Sequence, residues 1–411
     1  MASVTVSTVR IGSRSAALKL SGPASFALLV SMAVTFLAAA SAPTPLYGVY
    51  QGLWHFSPIT STEVFAVYAV SVLGALLVGG RLSDHVGRRP VLLTAIGAQV
   101  AALVLFAGAT GVDELFAARF IQGFSTGMAI GAMGAGMLDL DRIRGARFNA
   151  VAPLVGTGLG SVVSGAFVQY LPAPTHLVYL VLLGVFTAQA VAIVLMPETV
   201  TRKPGALASL RPTFALPRAL RGAVLAATPA MLAAWAMAGL YGSLGPALVH
   251  RVTGSGNHVL GGSALFVLAL SGAVLVMLAE DMTPRQLMLL GIAALFVGVG
   301  VTMLAANTSA VAFFLAALVA GAGFGAAFQG ALRTVVGLAA AHERAGVISV
   351  LFVVSYVAFG IPAVLAGLLV VHTGNILTTM YIYASAVMVL AAVAGVALLR
   401  QGTQTMAATQ V

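Results

Sequence analysis

The sequence predicts an all-α membrane protein of twelve transmembrane helices in two pseudo-symmetric six-helix bundles. Three observations carry that prediction. Of 411 residues, 60% are hydrophobic and 7% charged, where a soluble domain carries about 25% charged residues. The apolar residues fall into runs of about 20, the length an α-helix needs to cross a bilayer. Of the 20 Lys and Arg residues, 18 are sorted to one side of those runs, in the ends and alternate connections, as the positive-inside rule requires. Only helices and closed barrels satisfy a backbone in lipid, and no period-2 alternation suggests a barrel.

Taken in order, residues 1–23 form a polar, Ser-rich segment with Arg10, Arg14 and Lys19, expected in the cytoplasm. The first span, 24–42, ends in Ala40-Ser41-Ala42 and so mimics a cleaved signal peptide. The run exceeds the 7–15 residues of a signal core, and Pro43 follows the would-be cleavage site. It reads as a retained helix ending in a Pro43-Thr44-Pro45-Leu46-Tyr47 turn. Further spans are placed at 60–80, 90–110, 114–138, 148–170, 175–196, 221–249, 259–279, 285–306, 309–333, 345–371 and 376–399. The bundles then cover 24–196 and 221–400. Between them, 197–220 carries four prolines and reads as a cytoplasmic linker; 401–411 reads as a cytoplasmic tail.

With the N-terminus inside, 18 of the 20 basic residues lie on the cytoplasmic side; Arg251 falls outside and Arg119 within the fourth span. The net charge of +10 is thereby explained by the membrane, without a nucleic-acid partner. The chain has no Cys, which excludes disulfides and thiolate metal sites. Its only lysines, Lys19 and Lys203, do not follow Gly, so a P-loop ATPase is excluded. Seven histidines show no ligand-like spacing. Neither a metal, a cofactor nor an enzymatic activity is expected.

The most distinctive connection is Gly80-Arg81-Leu82-Ser83-Asp84-His85-Val86-Gly87-Arg88-Arg89-Pro90. Gly87 permits a sharp bend, Pro90 suits a first helical turn, and Asp84 can face the positive end of the next helix. Arg88 and Arg89 hold the turn inside. The hexapeptide 83–88 aligns with 280–285, 197 residues on, and Gly123 and Gly127 align with Gly321 and Gly325, 198 residues on. Collinear similarity of that kind points to a duplicated bundle. Glycines four apart let helices approach closely, and packing is their simplest role.

The loop pattern G-x-L-x-D-x-x-G-R-R resembles the signature between helices 2 and 3 of the major facilitator superfamily of secondary transporters. Arg119-Phe120-Ile121-Gln122-Gly123 resembles that family's helix-4 motif, where the arginine borders the cavity and is linked to proton transfer. Gly156-x-x-x-Gly160-Ser161-x-x-Ser164-Gly165 is similar to its antiporter motif G-x-x-x-G-P-x-x-G-G, with Ser161 in place of Pro and Ser164 in place of Gly. The resemblance implies two bundles rocking about a central cavity, with Gly80, Asp84, Gly87, Arg88 and Arg89 as a gating loop and Asp84 touching the second bundle. It also implies cavity-lining positions among the aromatic and amide residues of inner helices: Tyr47, Gln122, Trp235, Tyr241, Phe324, Gln329 and Tyr356.

Of the ten acids, Glu63 alone lies inside a span. It and Arg119 sit at similar depths, and a shared, proton-coupled site is the expectation. The mostly apolar cavity set favours a lipophilic or amphipathic organic substrate over a sugar. The sequence thus suggests a monomeric transporter in the cell membrane, the inner membrane of a bacterium, exporting a small organic compound in exchange for protons. Proton-coupled uptake, facilitated diffusion and a non-transporting membrane sensor stay open.

Overall fold

The computed structural model describes residues 19–212, 216–340 and 342–409; Arg10, Arg14 and the rest of 1–18 lie outside the described residues. The architecture is twelve long helices: α1 Gly22–Ser41, α2 Pro58–Gly79, α3 Arg88–Ala107, α4 Val112–Leu140, α5 Arg142–Tyr170, α6 Leu177–Leu195, α7 Arg221–Thr253, α8 His258–Leu278, α9 Pro284–Ala305, α10 Ala310–Leu338, α11 Arg344–Thr373 and α12 Ile376–Thr409. By length and composition, 11 helical stretches, one for each of these helices except α4, can cross a membrane. In α4, Arg119, Gln122 and a run of glycines dilute the apolar content, yet its 29 residues make it one of the longer helices.

Local chemistry sets the helix starts. Asp141 accepts from the N–H of Ile143 and Arg144 at 3.0 and 2.9 Å, Asn257 and Ser309 cap α8 and α10, and Thr283 with Gln286 forms a capping box on α9. Each such cap contributes about 1 kcal/mol. Pro58 and Pro284 occupy first helical positions, where a missing N–H costs nothing.

Three boundaries differ from the sequence expectation. The stretch after Ala42 is no turn: the N–H groups of Leu46 and Tyr47 both donate to the Pro43 carbonyl, at 3.0 and 3.1 Å. A 3-10 turn, Thr44–Leu46, therefore carries the chain into a further helix, Tyr47–Trp54. The Asp141 cap starts α5 at Arg142 rather than 148. Helix α12 runs through position 400 to Thr409, because no proline interrupts it.

Helices α1–α6 close around one apolar core, including Leu29, Phe36, Leu103, Phe106 and Phe186. Helices α7–α12 close around a second, including Met231, Leu268, Leu295, Phe313 and Val387. The halves repeat each other in detail. A Cβ on Gly123 of α4 would lie 2.6 Å from the Tyr68 carbonyl of α2, and one on Gly127 2.5 Å from that of Val72. Gly321 and Gly325 of α10 meet the α8 backbone at Leu268 and Gly272 in the same way. Backbone contact this close needs a residue without a side chain.

The halves meet along α5–α8 and α2–α11. One end of the bundle, the basic end, holds the connections rich in Arg. At the opposite, far end, Gly367 of α11 packs on Thr62 of α2 and Gln169 Oε1 accepts from the His258 N–H at 3.0 Å; nearer the middle, Thr44 Oγ1 donates to the Gly242 carbonyl of α7 at 3.0 Å. At the basic end, Arg147 of α5 pairs with Glu280 beyond α8.

Candidate functional site

Two clusters hold the polar residues that the sequence singled out. The first is the connection between α2 and α3. Gly80 ends α2, and its carbonyl is closely approached by Gly131 of α4. A short helical turn, Ser83–Val86, leads to Gly87, whose φ of +104° belongs to glycine alone. Its missing side chain also leaves room for Glu198: a Cβ there would lie 2.5 Å from the carboxylate. Glu198 in turn accepts from the N–H of Arg88 and Arg89 at 2.8 and 3.1 Å. The anion at the N-terminus of α3 is therefore Glu198, not Asp84.

Asp84 instead takes the Arg88 guanidinium at 2.5 Å. Arg88, almost wholly buried, also donates to Ser83 Oγ at 2.7 Å and pairs with Asp139 of α4 at 3.0 Å. Arg89 donates to the last carbonyls of α6, Ile193 at 3.2 Å and Val194 at 2.5 Å. In the second half, Arg285, which aligns with Arg88, makes the comparable contact, donating to the Leu398 carbonyl of α12 at 3.1 Å. The resemblance implied that Asp84 touches the second bundle; here the loop is knitted into its own half, because Arg88 draws Asp84 towards Asp139. The linker joins it: the Lys203 N–H donates to the His85 carbonyl at 2.9 Å.

The second cluster lies midway along the helices, at the seam. Arg119 of α4 is fully buried. It donates to Tyr47 Oη at 3.2 and 2.5 Å, to the Ala40 carbonyl at 2.7 Å and to Gln122 Oε1 at 2.7 Å. Gln122 donates onward to the Ala39 carbonyl at 3.0 Å. The guanidinium also lies 5.2 Å from the Tyr68 ring centre. Tyr68 packs with Tyr356 of α11, whose ring is 5.3 Å from that of Trp235 in α7. Around Trp235 stand Phe328 at 5.3 Å, Phe359 at 5.5 Å and Phe324 at 6.1 Å. One continuous path of aromatic faces thus links the buried cation of the first half to the indole of the second. The Trp235 Nε1–H is buried without an acceptor among the described residues. Gln329, also nearly buried, lies one residue beyond Phe328 on α10.

Glu63 and Arg119 are not brought together. The four ion pairs among the described residues are Arg88–Asp84, Arg88–Asp139, Arg144–Asp141 and Arg147–Glu280. Helical phase explains the separation. Residues 62, 66 and 69 of α2 face α11, and 68, 71 and 75 face α4. Glu63 falls on the remaining stripe, with Val67 and the exposed Val70, in a shallow groove closed by Phe120 and Val364. Tyr241 lies apart from the aromatic cluster: it stacks on Phe313 in the core of the second half.

On α5, Gly156 and Gly160 receive the α1 backbone at Val34 and Ala38, while Gly165 receives α8 at His258. The two serines that depart from the antiporter motif each make a hydrogen bond. Ser161 Oγ donates across the seam to the Gly262 carbonyl at 3.0 Å, and Ser164 Oγ donates to the Ala42 carbonyl at 2.6 Å. The sequence reading missed Phe328 and Phe359, which share helix faces with Phe324 and Tyr356, Tyr68, which lies on another stripe of α2 than Glu63, and Glu198 and Asp139, which reach the loop from distant segments.

A model of the Major Facilitator Superfamily matches residues 24–285. An uncharacterized transporter of Rickettsia felis is 28% identical over 133 residues, 31% of this chain and 31% of that protein. A protein of Streptomyces coelicolor described as a probable actinorhodin transporter is 33% identical over 139 residues, 32% of this chain and 24% of that protein. An MFS-type transporter of Aspergillus terreus is 31% identical over 120 residues, 28% of this chain and 22% of that protein. The chain thus spans less than a third of the length of each of these curated relatives. The crystal structure of a mutant of the nucleoside transporter NupG superposes with a TM-score of 0.70 at 13% identity, over 91% of this chain and 99% of that one. That likeness concerns the fold.

Proposed function

The chain belongs to the major facilitator superfamily, a multi-pass membrane transporter, and on that premise we propose that it exports a small lipophilic or amphipathic organic compound in exchange for protons. The observation that carries this reading is the seam cluster: Trp235, Phe324, Phe328, Tyr356 and Phe359 from three helices of the second half face Tyr68 and Arg119 of the first. Aromatic faces with few polar partners suit an apolar, ring-containing molecule. A sugar would need a denser set of hydrogen-bonding groups.

In this reading the basic end faces the cytoplasm of a bacterial cell, both chain termini lie there, and the protein works as a monomer in the inner membrane. The far end is held by contacts of α2 with α11 and α5 with α8 and the basic end by the Arg147–Glu280 pair; loading from the basic end and release at the far one is the direction proposed. The far-end α2–α11 contact must part for release. Glu63 sits beside it, half-buried and without a hydrogen-bonding partner among the described residues, roughly 7 Å into α2 at 1.5 Å per residue. It is the carboxylate proposed to carry the proton, since parting the seam changes its exposure to water. Arg119 serves separately, as a fixed cation.

The test is an imposed pH gradient on proteoliposomes holding the purified protein and a lipophilic fluorescent dye. Uphill dye movement is expected, and Glu63→Gln abolishes the response to the gradient while leaving dye exchange without a gradient. Uphill movement that survives Glu63→Gln overturns the coupling assignment. Dye movement by the unsubstituted protein that ignores the gradient overturns proton exchange.

A further inference from the structure

We propose that the substrate is an aromatic acid, taken as its anion, such as an aryl carboxylate or an acidic phenol. The proposal rests on the transporter reading above and adds the charge of the cargo. Its first ground is the charge inventory of the seam. Nine of the ten acids lie at or near the two ends of the bundle, and the tenth, Glu63, lies on the outward stripe of α2. Arg119 is left as the formal charge beside the aromatic cluster, fully buried and with no carboxylate within ion-pair distance among the described residues. A buried ion without a counter-charge is costly, and an anionic ligand supplies one.

The second ground is the hydrogen-bonding sense of the wall. Trp235 Nε1–H and the Ser355 hydroxyl, on the residue before Tyr356, are buried with no partner among the described residues. Tyr47 Oη accepts twice from Arg119, so its own O–H remains to be given. The indole N–H and the Tyr47 O–H are left here to donate, which suits a ligand with acceptor oxygens.

The third ground answers the obvious competitor. A cage of aromatic rings also attracts organic cations. Here a guanidinium already lies over the rings of Tyr68, Tyr47 and Phe106, at 5.2, 5.7 and 6.0 Å. The π-faces at that end of the path have their cation, and a second one would meet like charge.

The chain has two tryptophans, and Trp54 stacks on Tyr50 beyond the end of α1, away from the cluster. The Trp54→Phe variant in lipid nanodiscs therefore leaves Trp235 as the single reporter. Its fluorescence is titrated with three quenchers of one shape: 4-nitrobenzoate, 4-nitrobenzamide and 4-nitrobenzylamine. The carboxylate is expected to half-saturate at a concentration about tenfold or more below the amide, about 1.4 kcal/mol, with the amine weaker still. Arg119→Gln should bring acid and amide within about twofold, and Arg119→Lys should keep the preference. Should neither variant fold, the three ligands on the Trp54→Phe protein decide alone. Equal binding of acid and amide overturns the charge assignment and leaves the reading of an aromatic cargo intact. Tightest binding of the amine also overturns it and makes the cargo a cation. Quenching by none of the three overturns both the charge assignment and the aromatic cavity beneath it.

Discussion

Replacing Gly87 by Ala should cost this protein several kcal/mol through two separable effects. At φ +104° and ψ 156° the backbone is in a region other residues avoid, for a strain of roughly 1–3 kcal/mol. The new Cβ would sit 2.5 Å from Glu198 Oε2, pushing the carboxylate off the N–H groups of Arg88 and Arg89. Hydrogen bonds to a charged group contribute about 1.5–3 kcal/mol when buried; Glu198 is exposed, so about 1 kcal/mol for the pair is the better figure. The sum is roughly 2–4 kcal/mol. Gly74→Ala is the control, since a Cβ there meets nothing within 4 Å. Thermal melting in detergent at one fixed scan rate, as irreversible unfolding demands, should show Gly87→Ala several degrees below wild type and Gly74→Ala at or above it. The double variant Gly87→Ala/Glu198→Ala should lose less than the two single losses together, because the clash disappears with its partner. A melting temperature for Gly87→Ala equal to wild type would refute the reasoning.

Asp84→Asn leaves Arg88 held by Asp139 and Ser83, so expression and melting should stay near wild type. Transport should fall, because the loop loses the charge that holds Arg88 against Asp84; undiminished transport would reduce the loop to a topological anchor. Ser161→Ala removes the cross-seam bond to Gly262. Such bonds average about 0.6 kcal/mol in a bilayer, so the balance between end-states should shift by about threefold, read from the spin-label distances described below. Gly123→Val should abolish folded protein in the membrane, because its side chain would collide with the Tyr68 carbonyl of α2.

The twelve helices were legible because each is an apolar run bounded by prolines, glycines and charges. What the runs do not reveal is phase. Glu63 and Arg119 match in depth, but at 100° per residue Glu63 falls on the stripe of Val67 and Val70 while Arg119 turns inward. Numbering the faces of α2 from its glycine-contacted residues would have shown this. Tyr241 failed for the same reason. The loop motif was legible as a motif, but its partners Glu198 and Asp139 arrive from other connections, which pattern within the loop cannot disclose. Pro43 and Pro45 suggested a turn because each breaks a helix; spaced two apart, they instead fit the tighter hydrogen bonding of one 3-10 turn.

The central claim is that two halves rock about the α5–α8 and α2–α11 seams and that protons bias the motion. A chain without Cys lets it be tested by spin-label distances. Gly52 and Gly256 lie at the far end of the two halves, exposed and with room for a side chain. Leu138 and Gly337 are exposed near the basic ends of α4 and α10. Labelled as cysteine pairs in lipid nanodiscs and measured at acid and alkaline pH, the two distances should change in opposite directions, one lengthening as the other shortens. Distances that stay fixed in both pairs, or that lengthen together, would contradict the account.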